Sequence, residues 1–204
     1  MKVLIGTTNP AKVTRFEEFL PNSGIEYLTL KDLGITAEPE EGGSSPEENA
    51  RIKAAFYGQF CDCVICNDSG LYFDGIPLDD PRQPGLNIRT PQGRRLDDEE
   101  MIEYYSALIS GLGGKVLAYY LDGAAVFAKG NVYGFQATRE EAMSWAFYMT
   151  DAPSRWRREG WPLDTLSVAL DGKYFLDPAR PRFPQATSGY RPRLRAFLMN
   201  KLEL

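Results

Sequence analysis

The sequence predicts an α/β protein built on a mixed, twisted sheet with flanking helices. Three observations carry that expectation. Short apolar runs alternate with helical patterns over the first hundred or so residues, a series of β segments follows, and glycine-rich polar stretches punctuate the boundaries. At 204 residues the chain is long enough to bury its own core, as one domain or as two lobes sharing a cleft.

Val3-Leu4-Ile5-Gly6 reads as a strand entering a loop, and Val13, Phe16, Phe19 and Leu20 give helical spacing across residues 11–20. Pro21-Asn22-Ser23-Gly24 breaks that helix, residues 25–30 form the next strand, and the acidic stretch 38–45 is a loop. Ser45-Pro46-Glu47-Glu48 combines a capping hydroxyl, a first-turn proline and acidic residues at the positive end of the dipole, which predicts a helix to about Phe60. Residues 63–66 are a buried strand closing on a turn at Asn67-Asp68-Ser69-Gly70. A polar, proline-rich segment occupies 77–93 and a capped helix 97–110. Residues 116–120, 124–128 and 132–137 read as an antiparallel meander with turns at Asp122-Gly123 and Gly130-Asn131. A helix over 140–149, an irregular stretch over 152–162, a strand at 166–170 and a closing helix over 193–204 complete the chain.

Composition narrows the chemistry. The chain is 43% hydrophobic and 25% charged, as ordinary globular proteins are. Its net charge of −5 argues against broad nucleic-acid binding, yet leaves room for a small phosphorylated ligand held by a few local donors. Met1 to Gly6 reaches polar residues too early for a secretory apolar region, and no run is long enough to span a bilayer, so a cytoplasmic protein without membrane contact is expected. Cys61, Cys63 and Cys66 are odd in number and clustered, and read as small hydrophobes at the entry to a buried strand. With no histidine anywhere, imidazole bases and histidine-ligated metals are excluded, and acid–base or metal chemistry falls to carboxylates.

Three segments could carry that chemistry. Gly6-Thr7-Thr8-Asn9-Pro10-Ala11-Lys12 places hydroxyls, an amide, a lysine and backbone N–H groups at a helix start, where anions are favoured. Glu41 precedes a helix that carries Asn49 and Lys53 on one face, four residues apart. Asn67-Asp68-Ser69-Gly70-Leu71 brings a carboxylate to the end of a strand. Each alone reads equally as a capped helix, an amphipathic surface helix and a common turn.

Together, in this order and spacing, they resemble the inosine triphosphate pyrophosphatase family. That family has Thr-x-Asn-x-x-Lys, then Glu-x-Gly-x-(Ser/Thr)-x-x-Glu-Asn-Ala-x-x-Lys-Ala, then Asp-Asp-Ser-Gly-Leu. Thr7, Asn9 and Lys12 match the first motif. Glu41, Gly43, Ser45, Glu48, Asn49, Ala50, Lys53 and Ala54 match the second, and Asp68, Ser69, Gly70 and Leu71 the third. Pro84-Gly85-Leu86-Asn87-Ile88-Arg89 is similar to the family's later Pro-Gly loop.

The resemblance implies one nucleotide-binding domain over residues 1–204, with two lobes around a central nucleotide cleft. It implies hydrolysis of inosine or xanthosine triphosphates and their deoxy forms to the monophosphate and pyrophosphate, with Mg2+. Glu41 and Asp68 would hold the metal, and Asp68 with Lys53 would act on the reaction. Thr7, Thr8, Asn9, Lys12, Asn49, Lys53, Ser69 and Gly70 would contact substrate. A homodimer is also implied.

The match departs from the family at three places. Asn67 replaces the first Asp of the Asp-Asp pair and so is expected to remove a charge beside the metal, which Asn67→Asp would restore. Gly160-Trp161-Pro162-Leu163-Asp164 only echoes the family's Phe-Gly-(Tyr/Trp)-Asp-Pro, and Ser188-Gly189-Tyr190-Arg191 stands where Ser-His-Arg contacts the base. Trp161 or Tyr190 could stack on a base and Arg191 could reach a purine oxygen or phosphate, or these residues could simply be core aromatics and a capping arginine. A second reading follows from those departures. The chain would then be a weakened, nucleotide-binding sensor of dITP-like ligands that signals to a partner protein, as in antiphage defence.

Overall fold

β1 (Lys2–Ile5) owes its place to Val3-Leu4-Ile5, all fully buried, which a strand with a neighbour on each side requires. In the computed structural model, which describes residues 1–20, 24–180 and 189–204, β1 pairs in parallel with β2 (Glu26–Thr29) and with β3 (Cys63–Phe73). The predicted break at Pro21-Asn22-Ser23 and Ser188 lie outside the described residues. β4 (Lys115–Ala128) follows β3 in the sheet and pairs antiparallel with β5 (Asn131–Gln136) and β6 (Phe147–Thr150), and β6 pairs with β7 (Ser167–Val168). The sheet is therefore mixed, as expected. Among the described residues no helix is long and apolar enough to cross a membrane.

The chain divides into two compact units, and β3 and β4 each contribute a segment to both. The first takes Met1–Ser69, Asp122–Thr138 and the C-terminal helix. It carries α1 (Pro10–Phe19), α2 (Pro46–Tyr57) and α5 (Arg191–Leu202). Ala50, Ala54 and Tyr57 of α2 pack on Leu4, Val64, Cys66 and Ala125 of the strands. Ser45 caps α2 by accepting from the Glu48 N–H at 3.1 Å, a cap that contributes about 1 kcal/mol.

The second unit takes Gly70–Leu121 and Arg139–Pro184, with α3 (Asp98–Ser110) and α4 (Arg139–Met143). Met101, Ile102, Tyr105 and Ile109 of α3 bury against Leu71, Phe73, Ala118, Phe147 and Met149, each contributing roughly 2 kcal/mol. Asp97 and Glu100 close a full capping box at the α3 N-terminus.

Three expectations are corrected. Asn67-Asp68-Ser69-Gly70 is no turn, because β3 runs extended through it to Phe73 and buries Leu71 and Phe73 beyond it. Asp122-Gly123 is likewise no turn but the middle of the fourteen-residue β4, which leaves a hairpin where a meander was expected. A Cβ on Gly123 would lie 2.2 Å from the Glu47 N and 2.4 Å from the Pro46 carbonyl carbon, so this glycine lets the start of α2 sit on the strand. The real hairpin turn is Lys129-Gly130, with φ of 52° and 74°, closing Ala128 onto Asn131. Finally, the helix expected over 140–149 stops at Met143, and Phe147 to Thr150 alternates buried and half-buried residues as a strand against β4.

Gly123→Ala therefore costs about 3 kcal/mol or more, because the clash is with backbone, whereas Gly130→Ala, open on all sides but at positive φ, costs about 1 kcal/mol. Denaturant midpoints of the two variants check the order.

Candidate functional site

All the residues that follow belong to the first unit unless stated otherwise. The loop between β1 and α1 is fixed by hydrogen bonds, one of them to β3. Gly6 N–H donates to the Ile65 carbonyl at 2.9 Å, Asn9 N–H to Thr7 Oγ1 at 3.1 Å, and Lys12 N–H to the Asn9 carbonyl at 3.0 Å. A Cβ on Gly6 would meet Cys66 Sγ at 2.4 Å, so glycine lets the loop leave the sheet directly over β3. Thr8 is exposed on the loop, and Lys12 lies half-buried in the first turn of α1.

On the α2 side one hydrogen-bonded chain fixes the acidic residue of β3. Gly43 N–H donates to Asn49 Oδ1 at 2.9 Å, Asn49 Nδ2 donates to Asp68 Oδ2 at 3.0 Å, and Lys53 Nζ donates to Asp68 Oδ1 at 3.2 Å. Lys53 Nζ also lies 2.9 Å from Glu41 Oε2, so two carboxylates converge on one ammonium. Asn49 is buried and engaged at both ends of its amide, which makes it a support for Asp68.

The opposite face of β3 carries a second cluster that the sequence reading did not single out. Asp122 accepts from Ser69 Oγ, from the Tyr190 hydroxyl and, at 3.3 Å, from Arg15 Nη2, which also donates to Tyr190 at 2.6 Å. Asn67 faces this cluster and not Asp68. It shares a small cavity with Arg15, Phe16, Asp122 and Phe135, and its Oδ1 is buried with no hydrogen-bond partner among the described residues. The expected loss of charge beside Asp68 is thus corrected, because adjacent strand residues point to opposite faces. A signal for this cluster was present. Lys12 and Arg15 share the i, i+3, i+4, i+7 stripe with Phe16 and Phe19, which puts cations on the core-facing side of α1, and Asp122 interrupts an apolar strand.

Burial and neighbouring charge set the protonation of these groups. Burial alone would weaken the Lys53 charge, but Asp68 and Glu41 outweigh it and raise its pKa. Burial works against Arg15 too, and Tyr190 and Asp122 overcome it and hold its pKa up. For Asp122, burial is opposed by Arg15, Ser69 and Tyr190, and its pKa is lowered. Lys12 is the exception. Its ammonium is desolvated and faces Lys53, so its pKa is lowered, and it makes none of the ion pairs that Lys53 and Arg15 make. Arg191 is lowered for the same reasons, burial and then Arg15. Cys66 is pushed up to about 12 by burial, an inert thiol under Gly6 and Tyr57.

The structure thus brings Lys12, Asn49, Lys53, Asp68 and Glu41 together, with Ser69 and Arg191 on the Asp122 side. Gly70 and Trp161 belong to the second unit. There a Cβ on Gly70 would lie 2.6 Å from the Tyr72 ring, and Arg158 stands 5.4 Å over the Trp161 ring. Trp161 Nε1 is buried without a partner among the described residues, and burial pushes the nearby Asp164 up to about 6, against the pull of Arg158.

A family model described as the Ham1 family matches residues 3–140. A dITP/XTP pyrophosphatase of Bacillus subtilis is 34% identical over 112 residues, 54% of each chain, and one of Thermoanaerobacter pseudethanolicus is 40% identical over 113 residues, 55% of each. The chain thus matches about half the length of these curated relatives. Among solved structures, the Staphylococcus aureus Ham1 protein superposes with a TM-score of 0.69 at 20% identity, covering 98% of this chain and 99% of that one. A nucleoside-triphosphatase / dITP/XTP pyrophosphatase from Mycobacterium abscessus gives 0.65 at 24% identity, with 97% and 99% covered. Both share the mixed sheet with flanking helices.

Lys12 leads to a test on the unliganded protein. Its folded-state pKa lies below the unfolded 10.5, so the fold binds this proton less tightly and carries a cost at neutral pH that fades as pH rises toward 10.5. Lys12→Met should raise stability at neutral pH, with no gain at alkaline pH. Thermal melts from neutral to alkaline pH decide this, and a less stable Lys12→Met protein at neutral pH contradicts it.

Proposed function

This chain belongs to the Ham1 family, the inosine triphosphate pyrophosphatase family that its motifs resemble, and on that premise we propose that it hydrolyses deaminated purine nucleoside triphosphates such as dITP, ITP and XTP to the monophosphate and pyrophosphate. One observation carries the reading. Lys53 is bracketed by Asp68 and Glu41, while Lys12, also within electrostatic reach of Lys53 and Asp68, has no such pairing. A polyphosphate would give Lys12 the anionic partner that Lys53 already has.

In this reading Lys12, Lys53, the Thr7–Asn9 loop and Arg191 hold the phosphates, and the hydrogen bonds from Asn49 and Lys53 hold Asp68 in position. Asp68 orients the attacking water. That water adds to the α-phosphorus, the bond to the bridging oxygen breaks, and pyrophosphate leaves. The donor set fits magnesium: Glu41 and Asp68, which both pair with Lys53 Nζ, at 2.9 and 3.2 Å, would be its ligands, and an oxygen-only pair that leaves positions for phosphate and water suits that ion. Bound there, magnesium would neutralise charge on the leaving pyrophosphate. The same reading carries a cytoplasmic homodimer, and light scattering that finds a monomer at micromolar concentration counts against the pairing.

Tyr190 favours a second reading, the sensor that binds dITP-like nucleotides and signals to a partner protein. Its hydroxyl is committed to Asp122 and Arg15 at a position where the family contacts the base. Pyrophosphate release and thermal shift over one panel of nucleoside triphosphates separate the two, since a sensor binds without turnover.

Asp68→Asn should lower pyrophosphate release by a factor on the order of 100 or more while nucleotide-induced thermal shifts persist, because the phosphate-binding cations are untouched. Equal release by parent and variant at saturating magnesium would sink the assignment of Asp68.

A further inference from the structure

Asp122 ties three separate parts of the chain to one carboxylate: Arg15 of α1, Ser69 of β3, and Tyr190, which immediately precedes α5. Tyr190 adjoins Arg191, and both belong to the segment that stands where the family contacts the base. The carboxylate is desolvated and stays ionised because three partners donate to it and Lys12 adds its field. Asn67 lines the same cavity, and its buried Oδ1 accepts nothing from any described residue. At Asn67 the family motif has an aspartate, and a second carboxylate there would share the cavity with Asp122.

The geometry points to Asp122 as a positioning residue of the nucleotide site. It sets the start of α5, and so Arg191, against β3, and it supplies the negative charge on this face that the family motif places at the position of Asn67. Asn67 is neutral in this chain because the charge stands across the cavity on Asp122. The inference rests on the nucleotide-hydrolysis reading for its kinetic readout alone.

Four full-length proteins test it: the parent, D122N, N67D and the exchanged pair N67D/D122N, each assayed for dITP hydrolysis and for thermal melting. D122N should raise KM about tenfold or more with kcat within a few-fold, because Asp68 and Lys53 on the opposite face are undisturbed. A merely structural role would lower the melting temperature and leave KM unchanged, which overturns the proposal. N67D should lower both melting temperature and turnover, since it sets two buried carboxylates in one cavity. A rise in turnover for N67D overturns the proposal, even where D122N does not fold. The exchanged pair should melt higher and show a lower KM than D122N, and no recovery in either overturns it. The melting comparison of N67D with the exchanged pair is independent of catalysis. A chain that hydrolyses nothing yet shows the coupling defeats the hydrolysis reading and leaves the charge exchange standing.

Discussion

An extended strand must send successive side chains to opposite faces, and β3 stays extended through Asn67, Asp68 and Ser69. That single constraint divides the chemistry of the first unit. Asp68 goes to α2, where Asn49 and Lys53 receive it, and Ser69 and Asn67 go to the side of Arg15 and Asp122. The supports on each side are built accordingly. The glycine-rich loop before α2 spends a backbone N–H on Asn49 so that Asn49 can spend its own donor on Asp68. The start of α5 is held by a tyrosine hydroxyl on Asp122.

The second constraint is electrostatic. Lys12, Arg15, Lys53 and Arg191 are drawn into a poorly solvated region that holds fewer carboxylates than cations. Arg15 and Lys53 are matched by Asp122, Asp68 and Glu41, and their charges are strengthened by the pairing. Lys12 is left at a disadvantage by burial and by Lys53, while burial and Arg15 lower the pKa of Arg191 against the opposing pull of Tyr190 and Asp122. A lysine held at such a cost in an unliganded fold is in keeping with the proposed nucleotide site, since removing a desolvated ammonium would favour stability and weaken anion binding.

Much of the fold was legible because periodicity and capping are local. The α2 cap at Ser45, the capped start of α3 at Asp97 and the existence of the first three strands all follow from short-range patterns. Glycine is where local reading failed. Asp122-Gly123 and Gly130-Asn131 look alike as dipeptides, yet Gly130 turns the chain at positive φ and Gly123 makes room for the backbone at Pro46 and Glu47. Only the approach of a distant segment distinguishes the two. Likewise Phe147 to Thr150 is a strand because β4 offers it a ladder, whatever its own helical tendency.

The amino-acid sequence by itself determined the family and named five residues of the candidate site: Lys12, Asn49, Lys53, Asp68 and Glu41 stand in its three motifs, and the absence of histidine leaves carboxylates as the candidate acid–base groups. The tertiary structure alone decided which of them meet. It paired Lys53 with two carboxylates, left Lys12 without such a pair, turned Asn67 away from Asp68, and recruited Arg15, Asp122 and Tyr190, which belong to none of the first three motifs. The reason is that a motif records spacing along the chain, whereas charge and hydrogen bonding act through space, between groups such as Arg15 and Tyr190 that are 175 residues apart in sequence and 2.6 Å apart in the fold.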